Sequence, residues 1–366
     1  WLGEQAEALG AEIYPGFAAA DILYDDAGKV AGIVTGDMGV GADGEPKDSY
    51  MPGMELRAKY TIFSEGCRGH LGKRLMEKFD LRADCEPQHY GLGVKEIWKI
   101  KPELHEEGLV IHAAGWPLDE NGACGGGFLY HTENNEVSLG LITDLSYSNP
   151  YLSPFEEFQR FKTHPVIKKY LEGAERLAYG ARAITKGGIQ SLPRMHFPGG
   201  LLAGCDAGTL NFAKIKGSHT AMKSGLLAAE SVHQALAAGK AGEDISDFDE
   251  VFKQSWLYQE LYLQRNFGPA QHKWGNVIGA AYSVVDINFF NGKLPWTLKD
   301  PKPDNEQLKP AAQATVIDYP KPDGKVTFDR LSSVFLSNTN HEESQPCHLT
   351  LKDSSVPISH NLPLYD

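Results

Sequence analysis

Residues 199–239 read GGLLAGCDAG, TLNFAKIK and then GSHTAMKSGLLAAESVHQALAAG. Leu201 to Ala203 form a short buried strand that ends in Gly204-Cys205-Asp206-Ala207-Gly208. After a loop, Ala221, Met222, Gly225, Ala229, Val232 and Leu236 fall near helical spacing, and Gly239 ends the helix. A strand, a glycine-flanked acid and a helix start in that order imply an α/β layer with a ligand at the strand's carboxyl end. Asp206 can accept hydrogen bonds from sugar-like hydroxyls. The helix start offers free N–H groups and the positive end of the dipole to an anion, and the small residues Gly217 and Ser218 let the ligand come close. Together they suit a ribitol-plus-diphosphate ligand with an electron-rich ring at the helix tip, which is a flavin. The plain alternative is a tight βα turn with a solvated Asp206.

A second crossing of the same kind lies earlier. Tyr60 to Phe63 is a strand that runs into Ser64-Glu65-Gly66-Cys67-Arg68-Gly69-His70 and then the helical LGKRLMEKF. Before it come a helix over Trp1 to Gly10, with Leu2, Ala6 and Leu9 on one face, and a hairpin about Asp26-Ala27-Gly28, where Gly supplies the positive φ. From Tyr90 to Thr143 the pattern is of strands, spaced as in a mostly antiparallel sheet, closed by the helical FEEFQRFKTHPVIKKYLEG. The Pro-rich run Lys299 to Pro322 reads as linker or extended surface chain, and KVTFDRL and HLTLKD beyond it read as short strands.

Composition narrows the partners. The chain has 366 residues, 35 Lys+Arg against 48 Asp+Glu and a net charge of -13, with no basic cluster, so no nucleic acid is expected. A mean hydropathy of -0.34 excludes a multi-span membrane protein. None of its five cysteines has CxxC spacing, which leaves no self-contained zinc or iron–sulfur site, and Cys347 reads as structural. Gly36-Asp37-Met38-Gly39-Val40-Gly41 is glycine-rich, but it follows a hairpin strand and precedes no amphipathic helix, so it is not a dinucleotide fingerprint. His341-Glu342-Glu343 is not HExxH, since the fifth residue is Gln345. His112, His131 and His219 read as hydrogen-bonded core or surface residues, and no catalytic residue is assigned. The opening Trp1, with no Met and no leader, leads us to expect a piece of a longer protein.

The run GGLLAGCDAG…KIKGSHTAMKSGLLAAESV resembles the second flavin-binding motif of the electron transfer flavoprotein–ubiquinone oxidoreductase family. The resemblance extends through WLGEQAEALGAEIYPGFAA, YTIFSEGCRGHLGKRL, GWPLDENGACGGGFLYH, NPYLSPFEEFQRFKTHP, LPWTLKDPKPD and NHEESQPCHLTLKD, which is essentially the whole chain. It implies an electron-transferring-flavoprotein dehydrogenase that uses FAD and a [4Fe-4S] cluster to pass electrons from reduced electron transfer flavoprotein to ubiquinone. It also implies a peripheral or monotopic place on the inner face of a bacterial cytoplasmic membrane or the matrix face of the mitochondrial inner membrane. The fold it implies is α/β plus α+β. A glutathione-reductase/hydroxylase-like FAD-binding domain would occupy 1–80 and 176–245, with an inserted antiparallel-sheet quinone domain at 81–175. A helical region with a monotopic membrane segment would follow at 246–300, and a linker with the start of a ferredoxin-like region at 301–366.

By the same resemblance Glu65, Gly66, Arg68, Gly204, Asp206, Asn211, Gly217, Ser218 and Thr220 border the flavin, and Gly125 and Gly126 bind the quinone head group. A quinone carbonyl only accepts, so backbone N–H groups at a glycine turn can hold it. Taken alone, Gly125 to Gly127 read as a flexible hairpin tip. The family's GxGxxG unit, whose helix N-terminus should carry the diphosphate, is absent from this chain, so the chain by itself is expected to hold FAD weakly or not at all; the family's cluster-ligating cysteines are absent from it too. Two alternatives stay open: a flavin-dependent reductase or hydroxylase of the geranylgeranyl reductase type, and a cofactor-free inactive fragment. Val277 to Phe290 (VIGAAYSVVDINFF), flanked by Trp274 and Trp296, is too short to span a bilayer and reads as a segment lying in the headgroup boundary. The alternative is a buried core or interface helix.

Overall fold

In a computed structural model that describes residues 1–349 and 351–359, the chain divides into two compact units. One comprises residues 1–23 and 33–57 with the described residues after 339; the other comprises 24–32 and 58–339. This division cuts the chain differently from the five parts read from the sequence.

The first stretch carries α1 (Leu2–Ala8), β1 (Ala19–Tyr24), β2 (Val30–Thr35), β3 (Met38–Val40), β4 (Pro46–Met51) and β5 (Glu55–Arg57). β1, β2 and β5 form one small sheet in that order, and β3 pairs with β4. The turn between β1 and β2 is the expected one. The Asp25 carboxylate accepts from the N–H groups of Ala27 at 3.0 Å and Lys29 at 2.8 Å, and Gly28 has φ +77°. Helix α1 forms as expected but buries nothing, because Leu2 and Leu9 are both exposed. The glycine-rich 36–41 segment leads through β3 into another strand, as its sequence implies.

The larger unit is built on a five-stranded antiparallel sheet. Its strands are β7 (Tyr90–Lys99), β8 (Val110–Ala114), β9 (Gly125–His131), β10 (Glu136–Asp144) and β11 (Glu175–Thr185), in the order β11-β7-β10-β9-β8. One face packs Trp98, Leu129, Leu139 and Leu141 against Phe158 and Phe161 of α3 (Pro154–Lys162). Burial of that apolar face is the main force holding the layer together. The sheet runs on to Thr185, past the boundary expected at 175. A bulge between Arg176 and Ala178 breaks the two-residue alternation there and disguises the strand. The single helix expected after the sheet is two, α3 and α4 (Pro165–Leu171), split where His164 caps the second at Val166 N and Pro165 starts it.

Beside the sheet stand β6 (Thr61–Phe63), α2 (His70–Lys78), β12 (His196–Phe197) and β13 (Gly200–Leu202). β13 runs parallel to β6, with Leu201 opposite Ile62, so the two glycine-rich strand ends lie side by side. The residues after β13 are not an open turn but one helical turn, α5 (Gly204–Ala207), followed by α6 (Ser218–Ala237). Then come α7 (Phe248–Gln254), α8 (Trp256–Leu263) and α9 (Phe267–Phe289). KVTFDRL is no strand. The Asp323 carboxylate gathers the N–H groups of Lys325, Val326 and Thr327 into a turn, and Asp329 caps α10 (Arg330–Phe335). The described part of HLTLKD is not a strand either, and its Thr350 lies outside the described residues, as do residues 360–366.

Candidate functional site

The parallel pair β6 and β13 opens onto a cavity of about 760 Å³, lined by Arg68, Gly69, Lys73, Tyr90, Tyr147 and Asp206 among others. Glu65, at the end of β6, does not face it. Its carboxylate turns back to accept from the N–H groups of Leu71 at 3.0 Å and Gly72 at 2.8 Å, capping the start of α2. Asp206, carried by α5, packs against Gly69 and Gly72 so closely that a Cβ at either would collide with its carboxylate. Its Oδ2 is buried and has no hydrogen-bond partner. Burial first, and the neighbouring charge of Glu65 second, push its pKa up to about 7 against the pull of the Glu65 backbone N–H. Arg68 adopts a left-handed φ of +55° and lays its guanidinium over the Tyr90 ring at 5.4 Å. Gly66, with φ +85°, makes the turn that allows this.

The second half of the expected flavin site belongs to the segment that joins α5 to α6 and to the first turn of α6. Asn211, Gly217, Ser218 and Thr220 are not among the residues lining that cavity. Asn211 is buried, bridges Lys216 through backbone hydrogen bonds, and donates from Nδ2 to Glu260 at 2.8 Å. Lys214 at 2.7 Å and His219 at 2.8 Å meet the same carboxylate. Burial opposes its ionisation, but hydrogen bonds from Lys214, His219 and Asn211 bring the Glu260 pKa down to about 2. The loop before α6 is thus pinned to α8. Gly217 caps α6, and the Thr220 hydroxyl turns inward to donate to the Gly217 carbonyl at 2.8 Å. Gly204 ties α5 to α6 by donating its N–H to the Ser224 hydroxyl at 2.8 Å. Glu260 carries no local sequence signal, because its three partners lie in another element.

Gly125 and Gly126 are not a hairpin tip. They begin β9, pairing with Thr143 and Ile142 of β10. A Cβ on Gly125 or Gly126 would collide with the carbonyl of Ile142 or Ala113, and one on Gly127 with the Phe161 ring. These glycines are demanded by close packing. The three histidines have ordinary partners: His112 meets the Tyr130 hydroxyl at 2.7 Å, His131 accepts from Glu106 N at 3.1 Å, and His219 meets Glu260. Cys347 is exposed and free, so the structural part expected of it is not met.

Behind the sheet end lies a chain of buried ionisable groups that sequence spacing did not reveal. The Lys186 ammonium pairs with the Asp144 carboxylate. His272 Nε2 lies 2.8 Å from Asp144 Oδ2 and 3.0 Å from Lys186 Nζ, and its Nδ1 is bonded to Asp300. His89 continues the line, 3.2 Å from Asp300 and 2.7 Å from Asp304. Its members come from five separate places in the chain, which is why no motif marks it.

Helix α9 turns its apolar side outward. Gly279, Ser283 and Asp286 are buried, whereas Val277 and Phe289 are 79% and 75% exposed and Ile278, Val284 and Phe290 are exposed with them. The helix kinks at Gly275, where φ is +73°. Among the described residues no helix is long and apolar enough to cross a membrane.

Comparison with known proteins agrees along the whole chain. A family model described as ETF-QO, ubiquinone-binding, matches residues 90–184. Another, described as electron transfer flavoprotein-ubiquinone oxidoreductase, 4Fe-4S, matches residues 324–366. The electron transfer flavoprotein-ubiquinone oxidoreductase of Pseudomonas aeruginosa is 64% identical over 369 residues, covering 100% of this chain and 67% of the relative. The bovine mitochondrial enzyme is 53% identical over 374 residues, and this chain covers 60% of it. Among solved structures, a geranylgeranyl bacteriochlorophyll reductase-like protein from Thermoplasma acidophilum superposes with a TM-score of 0.54 at 14% identity, over 79% of this chain and 72% of that one. That likeness is one of fold alone.

Proposed function

The chain belongs to the electron transfer flavoprotein–ubiquinone oxidoreductase family, and from that premise we propose that the full-length protein passes electrons from reduced electron transfer flavoprotein, through FAD and a [4Fe-4S] cluster, to ubiquinone at a membrane surface. The observation that carries the reading is the 64% identity to the Pseudomonas aeruginosa enzyme along the whole of this chain.

The Asp206 cavity suits a flavin. Its orphaned, buried carboxylate oxygen is free to accept from a hydroxyl donor such as a ribityl group, and Gly69 lets that carboxylate pack close to the α2 start. A bound flavin would supply a two-electron store. The chain's own part is to bind and orient it. Asp206 takes the hydroxyls, Arg68 offers fixed positive charge, and Glu65 and Gly66 hold the strand end that carries Arg68. Gly204 seats α5 on α6. Asn211, Gly217, Ser218 and Thr220, set apart from that cavity, would meet a different part of the same elongated ligand, with the α6 dipole toward its anionic portion. The cysteines do not suit a cluster: no group of them among the described residues could hold one. No electron step is therefore assigned to them.

Gly125 and Gly126 are the proposed backbone contacts of the quinone head, at the edge where β9 and β10 begin to pair. The outward apolar side of α9 is the proposed membrane contact, with Trp274 and Trp296 at its flanks. The corresponding location is the inner face of a bacterial cytoplasmic membrane or the matrix face of the mitochondrial inner membrane. The test is steady-state reduction of a short-chain ubiquinone by the full-length protein, with reduced electron transfer flavoprotein as donor. Turnover that needs both partners is expected. Reduction supported by a nicotinamide donor, and none by the flavoprotein, would replace this reading with that of a reductase of the geranylgeranyl type.

A further inference from the structure

The buried ionic chain described above differs in geometry from a fixed salt bridge. It joins Asp144 at the end of β10, Lys186 just past β11, His272 of α9, and then Asp300, His89 and Asp304. Asp144 and Lys186 are 1% and 3% exposed. Three carboxylates share this line with one ammonium and two imidazoles. A carboxylate only accepts and an ammonium only donates. At 2.8 Å from Asp144 Oδ2, His272 Nε2 must carry a proton; at 3.0 Å from Lys186 Nζ, it must lack one. Each state finds a partner in the same geometry, with the Ser146 hydroxyl at 3.2 Å as a third. A proton can therefore leave Nε2 without stranding a buried polar group.

The two ends of the chain are as telling as its middle. At one end the Asp144 N–H donates to the Cys124 carbonyl at 3.0 Å, directly before Gly125, whose strand partner is Thr143. At the other end Asp304 lines the 760 Å³ cavity and accepts from the Tyr90 N–H at 2.8 Å. His89, His272 and Asp300 bring three potential metal-ligand atoms within 4.8 Å. Their lone pairs and protons are already committed to Asp144, Asp304 and the Lys186 ammonium, so the group is not a metal site.

We infer that Asp144, Lys186, His272, Asp300, His89 and Asp304 form a proton relay between the cavity and the glycine edge of the sheet. The inference rests on the quinone-reducing reading. A quinone takes two electrons, from the reduced carrier of that reaction, and two protons, and each C=O becomes C–OH. For the oxygen facing the glycine edge, the proton comes from the His272–Lys186 end. The group left deprotonated is recharged through Asp300, His89 and Asp304 by water in the cavity, and the second quinone oxygen takes its proton from solvent. Burial and the Lys186 charge work against the His272 imidazolium, but hydrogen bonds to Asp144 and Asp300 outweigh them and raise its pKa, which keeps the relay loaded.

The full-length holoenzyme allows a direct test with two acceptors. Ubiquinone needs protons, whereas ferricenium takes one electron and none. In His272→Gln and Asp304→Asn, the ratio of the quinone rate to the ferricenium rate is expected to fall about 10- to 100-fold, with a flattened pH profile. An unchanged ratio in a folded variant overturns the relay. Wild-type protein that reduces ferricenium but not ubiquinone overturns the quinone reading instead. Nitrogen NMR of the imidazoles in the unmodified chain gives a readout free of turnover, with Asp144, Lys186, Ser146, His89 and Asp300 facing His272, and Glu86 holding Asp300 through its N–H. The His272 ring should lose its Nε2 proton first, at a pH above the ordinary imidazole value. Loss from Nδ1 first, or a ring whose protonation does not change with pH, overturns the proposal.

Discussion

Asp206 is the residue on which the sequence and the structure meet most closely. Its flanking glycines mark it in the sequence, and in the fold its carboxylate is buried against Gly69 and Gly72 with one oxygen unpaired. Its folded pKa of about 7 lies above the ordinary carboxylate value, with burial the main cause. The folded state therefore binds more protons than the unfolded state between those two values, and stability falls as pH rises through that window. Asp206→Asn removes the titrating group. Urea midpoints measured at about pH 4 and pH 7.5 should converge in the variant relative to the wild type, and parallel shifts in both proteins would contradict the assignment. Arg68 was legible for the same reason, as part of a short strand-to-helix turn. Glu260, Lys186, Asp144 and His272 were not. Each is defined by partners tens to hundreds of residues away, such as Asp144 with His272, and single residues without local spacing leave no pattern to read.

At the scale of elements, period and punctuation carried most of the information. The hairpin at Gly28, the strands β6 and β13, and the antiparallel strands between Tyr90 and Asp144 follow from apolar runs bounded by glycines, whereas the parallel pairing of β6 with β13 does not. Where the period is broken, the reading failed: the bulge near Arg176 hid the start of β11, and Pro165 divided one expected helix in two. Gly125 to Gly127 failed for a different reason. Flexibility and close packing both select glycine, and only the neighbours Ile142, Ala113 and Phe161 distinguish the two. Helix α9 presents the opposite case, since an apolar run usually means core, yet here small and polar residues face inward. Replacing Val284 and Phe289 by Glu should abolish co-sedimentation with anionic liposomes while leaving the thermal midpoint within a few degrees, because both side chains are exposed. Unfolding of the variant, with liposome binding unchanged, would show that α9 is a core helix and remove the membrane contact from the account.

For the molecule as a whole, three features of the larger unit gather around one sheet. A cavity sits at the strand ends, glycines begin β9, and a buried line of acids and histidines runs from Asp304 in the cavity wall to Asp144 at the end of β10. The exposed apolar side of α9 belongs to the same compact unit. This order of parts makes the central claim one about the direction of electron flow. Its most direct measurement is an anaerobic single-turnover experiment on the full-length protein, read by flavin absorbance. Reduced electron transfer flavoprotein should bleach the bound flavin, and a later addition of ubiquinone should restore the oxidised spectrum without any other acceptor. A flavin that bleaches with a nicotinamide donor alone, or that stays reduced when ubiquinone is added, would contradict the account.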